Sequence, residues 1–143
     1  RVVRGEARAE LADAFAHLYE TSIPVEEQKE GKADKLRQIA RLAPVVILVS
    51  MERQKIEKIR ELEEIEAVAC AVQNTHLTAA SRGLGAFWST PPFLYKPEMN
   101  AYLGLGEKDR CLGIFYIGHP ADPTSWPKSR RGAIDSKVEW VNA

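Results

Sequence analysis

The side chains that could perform chemistry are scattered through the sequence rather than grouped. The three histidines, His17, His76 and His119, lie far apart, and none has the spacing of a Ser-His-Asp or Cys-His arrangement. Each is better interpreted as a packed or surface residue. Cys70 and Cys111 are also distant and form no CxxC pair, so we expect two buried, reduced thiols and no metal site.

A cluster of acids lies in one predicted helix, at Glu63, Glu64 and Glu66. Paired carboxylates can serve as a general acid and base, but a run of charges on a helix is most often a solvated face. We therefore expect these side chains to be solvated, with Glu66 at the border of the apolar part of the helix.

The segment RGLGAFWSTPP, residues 82–92, has a composition that could shape a surface for a flat ligand. Glycine lets the backbone approach a ligand closely, and free N–H groups after a helix can bond ring carbonyls and nitrogens. Trp88 offers a flat apolar wall. Taken alone, the segment is better interpreted as a helix end followed by a core Trp, because a lone G-x-G without a preceding strand is a weak signal.

A small basic cluster, Lys-Ser-Arg-Arg, occupies residues 128–131. The guanidinium fork of Arg suits phosphate, and Lys adds a point charge. Clusters of this size are usually solvated loops. This one is too short to predict a nucleic-acid surface, which needs a broad basic face.

The composition is that of a single globular domain. The chain has 143 residues, of which 45% are apolar and 28% charged, enough to bury a sizeable core. The formal net charge is zero, which argues against nucleic acid or an anionic membrane as a partner. The longest apolar run, residues 43–51, is too short to cross a bilayer, and no signal peptide is recognisable. A cytoplasmic location is expected.

Hydrophobic periodicity predicts the elements of the first half of the chain. A helix is expected over residues 6–19, a polar loop or lid-like segment over residues 21–38, and a buried strand over residues 43–50. A second helix is expected from residue 52, with a solvated face up to residue 66. Residues 67–72 are apolar nearly all round, which predicts that this part of the helix is buried.

In the second half, Gly83 is expected to end the long helix. Pro97–Leu103 is predicted as a short helix, residues 107–109 as a turn and residues 111–117 as a second buried strand. Residues 137–141 alternate as a final strand or an arm would.

The interleaving of helices with only two recognisable strands indicates an α+β or α/β protein. Two strands do not make a convincing sheet. We therefore expect the remaining strands to come from sequence outside this chain or from a partner.

The order of the motifs is more specific than any motif alone. An Ala-Pro pair and a buried strand precede the helix ACAVQNTHLTAASRGLG and the segment AFWST. The short helix ending in LGLG, the turn EKDR, the strand CLGIFYIGHP and the basic segment follow. This succession resembles the FMN-dependent nitroreductase family over about residues 2–140, and best over residues 63–120.

The resemblance implies one domain over residues 1–143, with a mostly antiparallel central sheet flanked by helices. It further implies an intertwined homodimer with FMN at the interface, in which each C-terminal arm pairs with the partner's sheet. The implied reaction is ping-pong: NAD(P)H passes hydride to FMN, which then reduces a nitroaromatic, a quinone or a similar small-molecule acceptor. The cofactor carries this reaction, so no catalytic side chain is implied.

Site residues also follow from the resemblance. The segment after the glycine-rich helix end would contact the flavin, and the basic positions before the arm would hold its phosphate. These are Phe87, Trp88, Ser89 and Thr90 for the ring and Arg130 and Arg131 for the phosphate, with Lys128 as a further candidate.

Two departures from the family pattern leave alternatives open. The family's N-terminal Arg-Arg-Ser and Pro-Ser…Asn…Gln-Pro stretches do not occur here. Either a further N-terminal part precedes Arg1, or the protein is a truncated relative that binds FMN poorly. Pro91 stands where Gly often follows the Trp-x-Ser/Thr motif, which removes one backbone N–H. A second hypothesis is therefore a flavin-free dimeric binding or structural protein on the same fold. A third is a small nucleic-acid or phosphoprotein module that uses residues 128–131.

Overall fold

An antiparallel sheet forms the centre of the molecule. A computed structural model describes residues 1–56, 58–122, 124 and 131–141. In these residues four strands pair in the order β1-β2-β4-β3, with β1 at Val2–Arg4, β2 at Val45–Met51, β3 at Gly85–Ser89 and β4 at Arg110–Gly118. All three pairings are antiparallel, which confirms the predicted α+β class.

The two strands predicted from apolar runs are the central pair, β2 and β4. The expectation that this chain holds only these two strands was wrong, because β1 and β3 pair with them at the two edges of the described sheet. Both are too short to give a periodic signal: β1 has 3 residues, and β3 has 5 and begins at a glycine. Edge strands need apolar alternation only where they meet the core.

One face of the sheet, called the covered face, is packed against three helices. It carries Val46, Leu48, Ile114 and Tyr116. The helices are α1 at Ala7–Ser22, α2 at Lys32–Leu42 and α4 at Pro97–Leu103. Large side chains from α1 and from the short 3-10 turn Pro92–Tyr95 fill the space between helices and sheet. This layer is the hydrophobic core.

Helix α2 corrects the prediction of a polar loop or lid over residues 21–38. Leu36 and Ala40 lie one turn apart and are buried, while the opposite face is charged. Beside the apolar stripe, Arg37 pairs with Asp13 of α1 at 3.4 Å and with Asp34 at 2.9 Å. Only a narrow apolar stripe is needed for α2 to pack on α1, so most of its residues are charged or polar. The helical periodicity is therefore weak in the sequence.

The opposite face of the sheet, called the open face, carries Phe115 and Trp88. Among the described residues, one helix crosses it, α3 at Glu61–Ser81. The predicted start at residue 52 was wrong, because the described residues between 52 and 60 are not helical. The prediction that residues 67–72 are buried all round was also wrong. Ala67, Cys70 and Ala71 are exposed. One helix lying on a sheet buries only one stripe, and no other described element covers the rest.

The helix ends follow the predicted glycine chemistry. Gly83 has φ of +73°, its N–H donates to Ala80 O at 3.0 Å, and the N–H of Leu84 donates to Ala79 O at 3.0 Å. This is a Schellman motif, in which a left-handed residue lets the chain satisfy the last carbonyls of α3. It also turns the chain directly into β3.

The short helix α4 has the predicted bounds.

The described end of the chain, residues 131–141, is exposed throughout. It contains a 3-10 turn at Ile134–Ser136 and no strand, and Trp140 and Val141 are exposed. Pairing of this segment with a second copy therefore stays a prediction. No helix in the described part of the chain combines the length and apolar character needed to cross a membrane.

Candidate functional site

A cleft lies on the open face, between the first turns of α3 and the outer edge of the sheet. Its volume is about 410 Å³. The lining is mostly apolar and comes from four parts of the chain: Ile65, Ala69, Trp88, Thr90, Tyr95 and Leu112. A cleft of this size and character is typical of a small-molecule or cofactor site.

Trp88 forms the flat wall of this cleft. It lies in β3 opposite Phe115 of β4, and 37% of its surface is exposed. Its indole N–H donates to the carbonyl of Leu112 at 3.2 Å. Since a buried or half-buried Trp needs a partner for its N–H, this bond fixes the edge of the ring and leaves its apolar surface available.

The structure separates the four residues predicted to contact a flavin ring. Trp88 and Thr90 line the cleft together. Phe87 points to the covered side, where it is 60% exposed and lines a separate cavity of about 300 Å³ beside Pro44 and Tyr116. Ser89 pairs with Ile114 and does not line the cleft. Successive residues of a strand alternate between faces, so four consecutive side chains cannot form one surface.

The predicted phosphate ligands are only partly placed. Arg131 is exposed at the start of the described segment 131–141. Arg130 and Lys128 lie outside the described residues. Among the residues that the structure describes, no Lys, Arg or His lines the cleft. Pro91, the departure noted in the sequence, is buried, and its carbonyl accepts a hydrogen bond from the N–H of Leu94 at 2.9 Å.

Comparison with known proteins decides the family. The model of the nitroreductase family matches residues 1–119, which is most of the chain. The chain belongs to the nitroreductase family. This membership supports a general oxidoreductase function. Among curated proteins, no significant match to the sequence was found.

Solved structures agree with this assignment. A nitroreductase-like family protein from Bacillus cereus matches with a TM-score of 0.78 and 29% identity, over 100% of this chain and 72% of that one. A structure in complex with FMN from Desulfovibrio desulfuricans matches with a TM-score of 0.66 and 23% identity, over 100% and 72%. A point variant of the FMN- and NADPH-dependent nitroreductase NfnB from Sphigopyxis sp. strain HMH matches with a TM-score of 0.64 and 21% identity, over 98% and 77%.

A largely buried ion pair holds the start of α3 beside the cleft. Glu64 is only 8% exposed and pairs with Arg53, which follows β2. The second carboxylate oxygen of Glu64 accepts the backbone N–H of Gln54 at 3.0 Å, and Arg53 also donates to Ile59 O at 3.2 Å. The pair joins β2 to α3 one residue before Ile65, a lining residue of the cleft.

The expectation that all three acids of α3 are solvated was therefore wrong for Glu64. Glu63 and Glu66 are exposed as predicted. No local pattern distinguishes Glu64 from these neighbours, because its partner Arg53 lies in a non-helical segment. One signal in the sequence could have indicated the burial of Glu64. Arg53 follows a buried strand, and an Arg side chain that turns inward needs a carboxylate as its partner.

Asp109 extends this connection to β4. Its carboxylate accepts the backbone N–H of Arg53 at 2.8 Å and that of Gly106 at 2.8 Å. These two hydrogen bonds hold the pKa of Asp109 below its usual value of 3.8, and the bond from Arg53 contributes more to the shift than the bond from Gly106. The predicted turn at residues 107–109 is therefore fixed to the end of β2 by a charged acceptor.

The cysteines and histidines contribute no reactive centre to the described part of the chain. Cys111 is buried, and desolvation raises the pKa of its thiol to about 11, so it stays protonated. The predicted burial of Cys70 was wrong, since this residue lies on the exposed side of α3. His76 packs edge-on against Phe115 with ring centroids 5.6 Å apart, and His17 and His119 are exposed. The histidines are therefore packed or surface residues, as predicted.

Proposed function

We propose that this chain is an FMN-dependent oxidoreductase that takes hydride from NAD(P)H and reduces a nitroaromatic, quinone or similar acceptor. The observation that carries the proposal is the cleft with its flat Trp88 wall in a chain of the nitroreductase family. The structural neighbour from Desulfovibrio desulfuricans is described as a complex with FMN, and NfnB as dependent on FMN and NADPH. Those properties support the proposal for this chain.

The lining residues fit the ring of a flavin better than its phosphate. A planar tricyclic ring needs a flat apolar contact and a few polar groups at its edge. Trp88 provides the first, and the hydroxyl groups of Thr90 and Tyr95 are available for the second. The phosphate needs a cation, and we assign that role to Arg130 and Arg131 from the family resemblance.

The side chains of the cleft would bind, orient and exclude water. Ile65, Ala69 and Leu112 make the lining apolar, which strengthens any hydrogen bond formed inside it. Bound FMN would supply the two-electron redox chemistry of the reaction. The lining contains no carboxylate, His or Lys among the described residues, consistent with a protein that positions the cofactor and leaves the chemistry to it.

We further propose that the protein acts as a cytoplasmic homodimer. The exposed side of α3 carries apolar residues among its polar ones, with Leu77 59% exposed and Ala67, Cys70, Ala71 and Ala80 also exposed. A helix with such a surface is normally buried against another element. A second copy would cover this surface, and the apolar segment with Val138 and Trp140 would then serve as the exchanged arm.

The test begins with the purified full-length protein. Flavin absorbance, or uptake of added FMN followed by its reduction with NADH or NADPH, supports the proposal. A colourless protein that binds no added FMN would contradict it. That result would favour the flavin-free dimeric binding protein, which is motivated by the absence of a backbone N–H at Pro91 and of a cation in the described lining of the cleft.

The phosphate assignment has its own test. Each hydrogen bond to a charged group contributes about 1.5–3 kcal/mol, so replacing Arg130 and Arg131 with Ala should raise the Kd for FMN at least tenfold. The matched control is Lys137→Ala, an exposed basic residue of the same terminal segment. Unchanged FMN retention in the double variant would remove both arginines from the site.

A further inference from the structure

Gly113 of β4 lies directly under the indole of Trp88. A Cβ atom at Gly113 would lie 1.7 Å from Nε1 of Trp88, 2.4 Å from Cδ1 and 2.9 Å from Cε2. Such distances are impossible for real atoms. Gly113 is not among the described glycines with positive φ, so its backbone would accept alanine. The indole ring, rather than the backbone conformation, excludes a side chain at this position.

A β-bulge next to Gly113 explains how the ring is held. The register of β2 and β4 pairs Val49 with Gly113 and then Ser50 with Cys111, so Leu112 is an extra residue on β4. Bulges commonly redirect a group at the edge of a site. Here the carbonyl of Leu112 accepts the indole N–H of Trp88 at 3.2 Å. Leu112 also lines the cleft.

We propose that Gly113 and the Leu112 carbonyl position the Trp88 indole as a rigid wall for the planar ring of a flavin. The ligand assignment rests on the proposed function, whereas the contact between Gly113 and Trp88 does not. Gly113 acts through Trp88 and is a positioning residue. The missing side chain lets the indole approach the bulge closely, and the carbonyl fixes its rotation.

A side chain at Gly113 would displace the indole ring of Trp88. An indole has only two rotatable bonds, so it cannot bend around a new methyl group. In Gly113→Ala the indole ring must move away from the bulge and lose its hydrogen bond to the carbonyl of Leu112. The ring then moves either into the cleft, towards Ile65 and Ala69, or out of it. Either movement changes the width of the space in which a planar ligand would lie.

The first experiment tests the contact without any ligand. Thermal unfolding is measured for the unsubstituted protein, Gly113→Ala, Trp88→Ala and the double variant. Overpacking lowers stability, so Gly113→Ala should lower Tm by about 4–10 °C. In the Trp88→Ala background the same substitution should lower Tm far less. An equal loss in both backgrounds would overturn the proposed contact.

Gly85→Ala is the matched control on the neighbouring strand. A Cβ there would meet Gly118 O at 3.6 Å, which is an ordinary contact. Its Tm should therefore change little.

The second experiment measures ligand binding in the full-length protein. FMN and riboflavin are titrated separately, because riboflavin has the same ring without the phosphate. Stacking on an aromatic side chain contributes about 1–3 kcal/mol per ring, so Gly113→Ala should raise both dissociation constants by a similar factor of about ten. Gly85→Ala should leave both constants within about twofold of the unsubstituted protein. Trp88→Phe, which keeps a flat ring but has no N–H, should have a smaller effect of about threefold.

The outcomes separate this proposal from the proposed function. Folded Gly113→Ala that binds both flavins as well as the unsubstituted protein would overturn the positioning role. A loss confined to FMN would place the effect at the phosphate and also overturn it. If the unsubstituted protein binds neither flavin, the proposed function and the ring assignment both fail, while the unfolding experiment still decides whether Gly113 holds Trp88.

Discussion

The two faces of the sheet differ in how completely they are covered. On the covered face, α1, α2 and α4 enclose a core in which Phe15 is 0% exposed. On the open face, α3 buries only Glu64, Val72 and Ala79, and its outer side stays exposed. The same central strands, β2 and β4, contribute to both faces. The fold therefore concentrates its stabilising packing on one face and leaves the other less covered, with the cleft beside Trp88 on it.

The difference has a simple origin in helix number and composition. Three helices can surround a sheet face, whereas a single helix leaves gaps on both sides. The cleft beside Trp88 is one of those gaps. The open face also needs polar attachments, and the pair between Arg53 and Glu64 supplies one at the start of α3. Substitutions on the two faces should consequently differ in both size and kind.

The largest effect is expected from Phe15→Ala on the covered face. Phe15 is fully buried and packs against Phe93 with ring centroids 5.6 Å apart. Removing the ring leaves a cavity, which should lower the free energy of unfolding by about 3–5 kcal/mol. Urea denaturation measures this loss. The control is Leu42→Ala, an exposed residue of α2, which should cost less than about 0.5 kcal/mol. Similar losses in both variants would contradict the assignment of the core to this face.

The next effect concerns the attachment of the open face. Arg53→Met leaves the carboxylate of Glu64 buried without its cation, which should cost about 3 kcal/mol of unfolding free energy. Adding Glu64→Leu removes the second charge and should recover most of that loss. Chemical denaturation of the two variants tests this. Glu66→Gln, an exposed acid of the same helix, is the control and should be neutral. No recovery in the double variant would show that the pair does not act as a unit.

A smaller effect is expected on assembly. If a second copy covers α3, a charge in place of Leu77 must be desolvated at that interface. Leu77→Glu should raise the dimer dissociation constant about tenfold to hundredfold, as sedimentation would show. Leu42→Glu introduces the same charge at an exposed apolar residue of the covered side and should leave the constant unchanged. Equal constants for the two variants would contradict the proposed dimer interface.

The smallest effect is a pH dependence at Asp109. Its pKa is lowered in the folded protein by hydrogen bonds from Arg53 and Gly106. A depressed carboxyl pKa stabilises the fold above the unfolded value, and this stabilisation is lost as pH falls through the lower folded value. The stability advantage over Asp109→Asn should therefore be complete above about pH 5 and shrink below about pH 4. Denaturation between pH 2 and 6 measures it, with Glu107→Gln as control. An advantage that is constant with pH would rule out this linkage.

Elements with a local signal were predicted correctly. The apolar runs gave β2 and β4, and Pro97 with Gly104 marked both ends of α4. Elements that depend on neighbours were missed. The apolar stripe of α2 becomes visible only against α1, and β1 and β3 become strands only by pairing with the central strands. Only part of the candidate site could be predicted. The family resemblance in the sequence pointed to Trp88 and Thr90, but not to their separation from Phe87 on the other face of the sheet.

The sequence by itself determined membership of the nitroreductase family. Its motifs contain no recognisable nucleophile arrangement or metal cluster, and they place a Trp after a helix that ends at a glycine. These properties are carried by residue types and their spacing along the chain. Only the tertiary structure decided that Gly113 must lack a side chain and that Glu64 is buried. It also brought Trp88 together with Leu112. Each of these depends on residues that are distant in sequence and are brought into contact by the pairing of β3 with β4 or by the packing of α3 on the sheet.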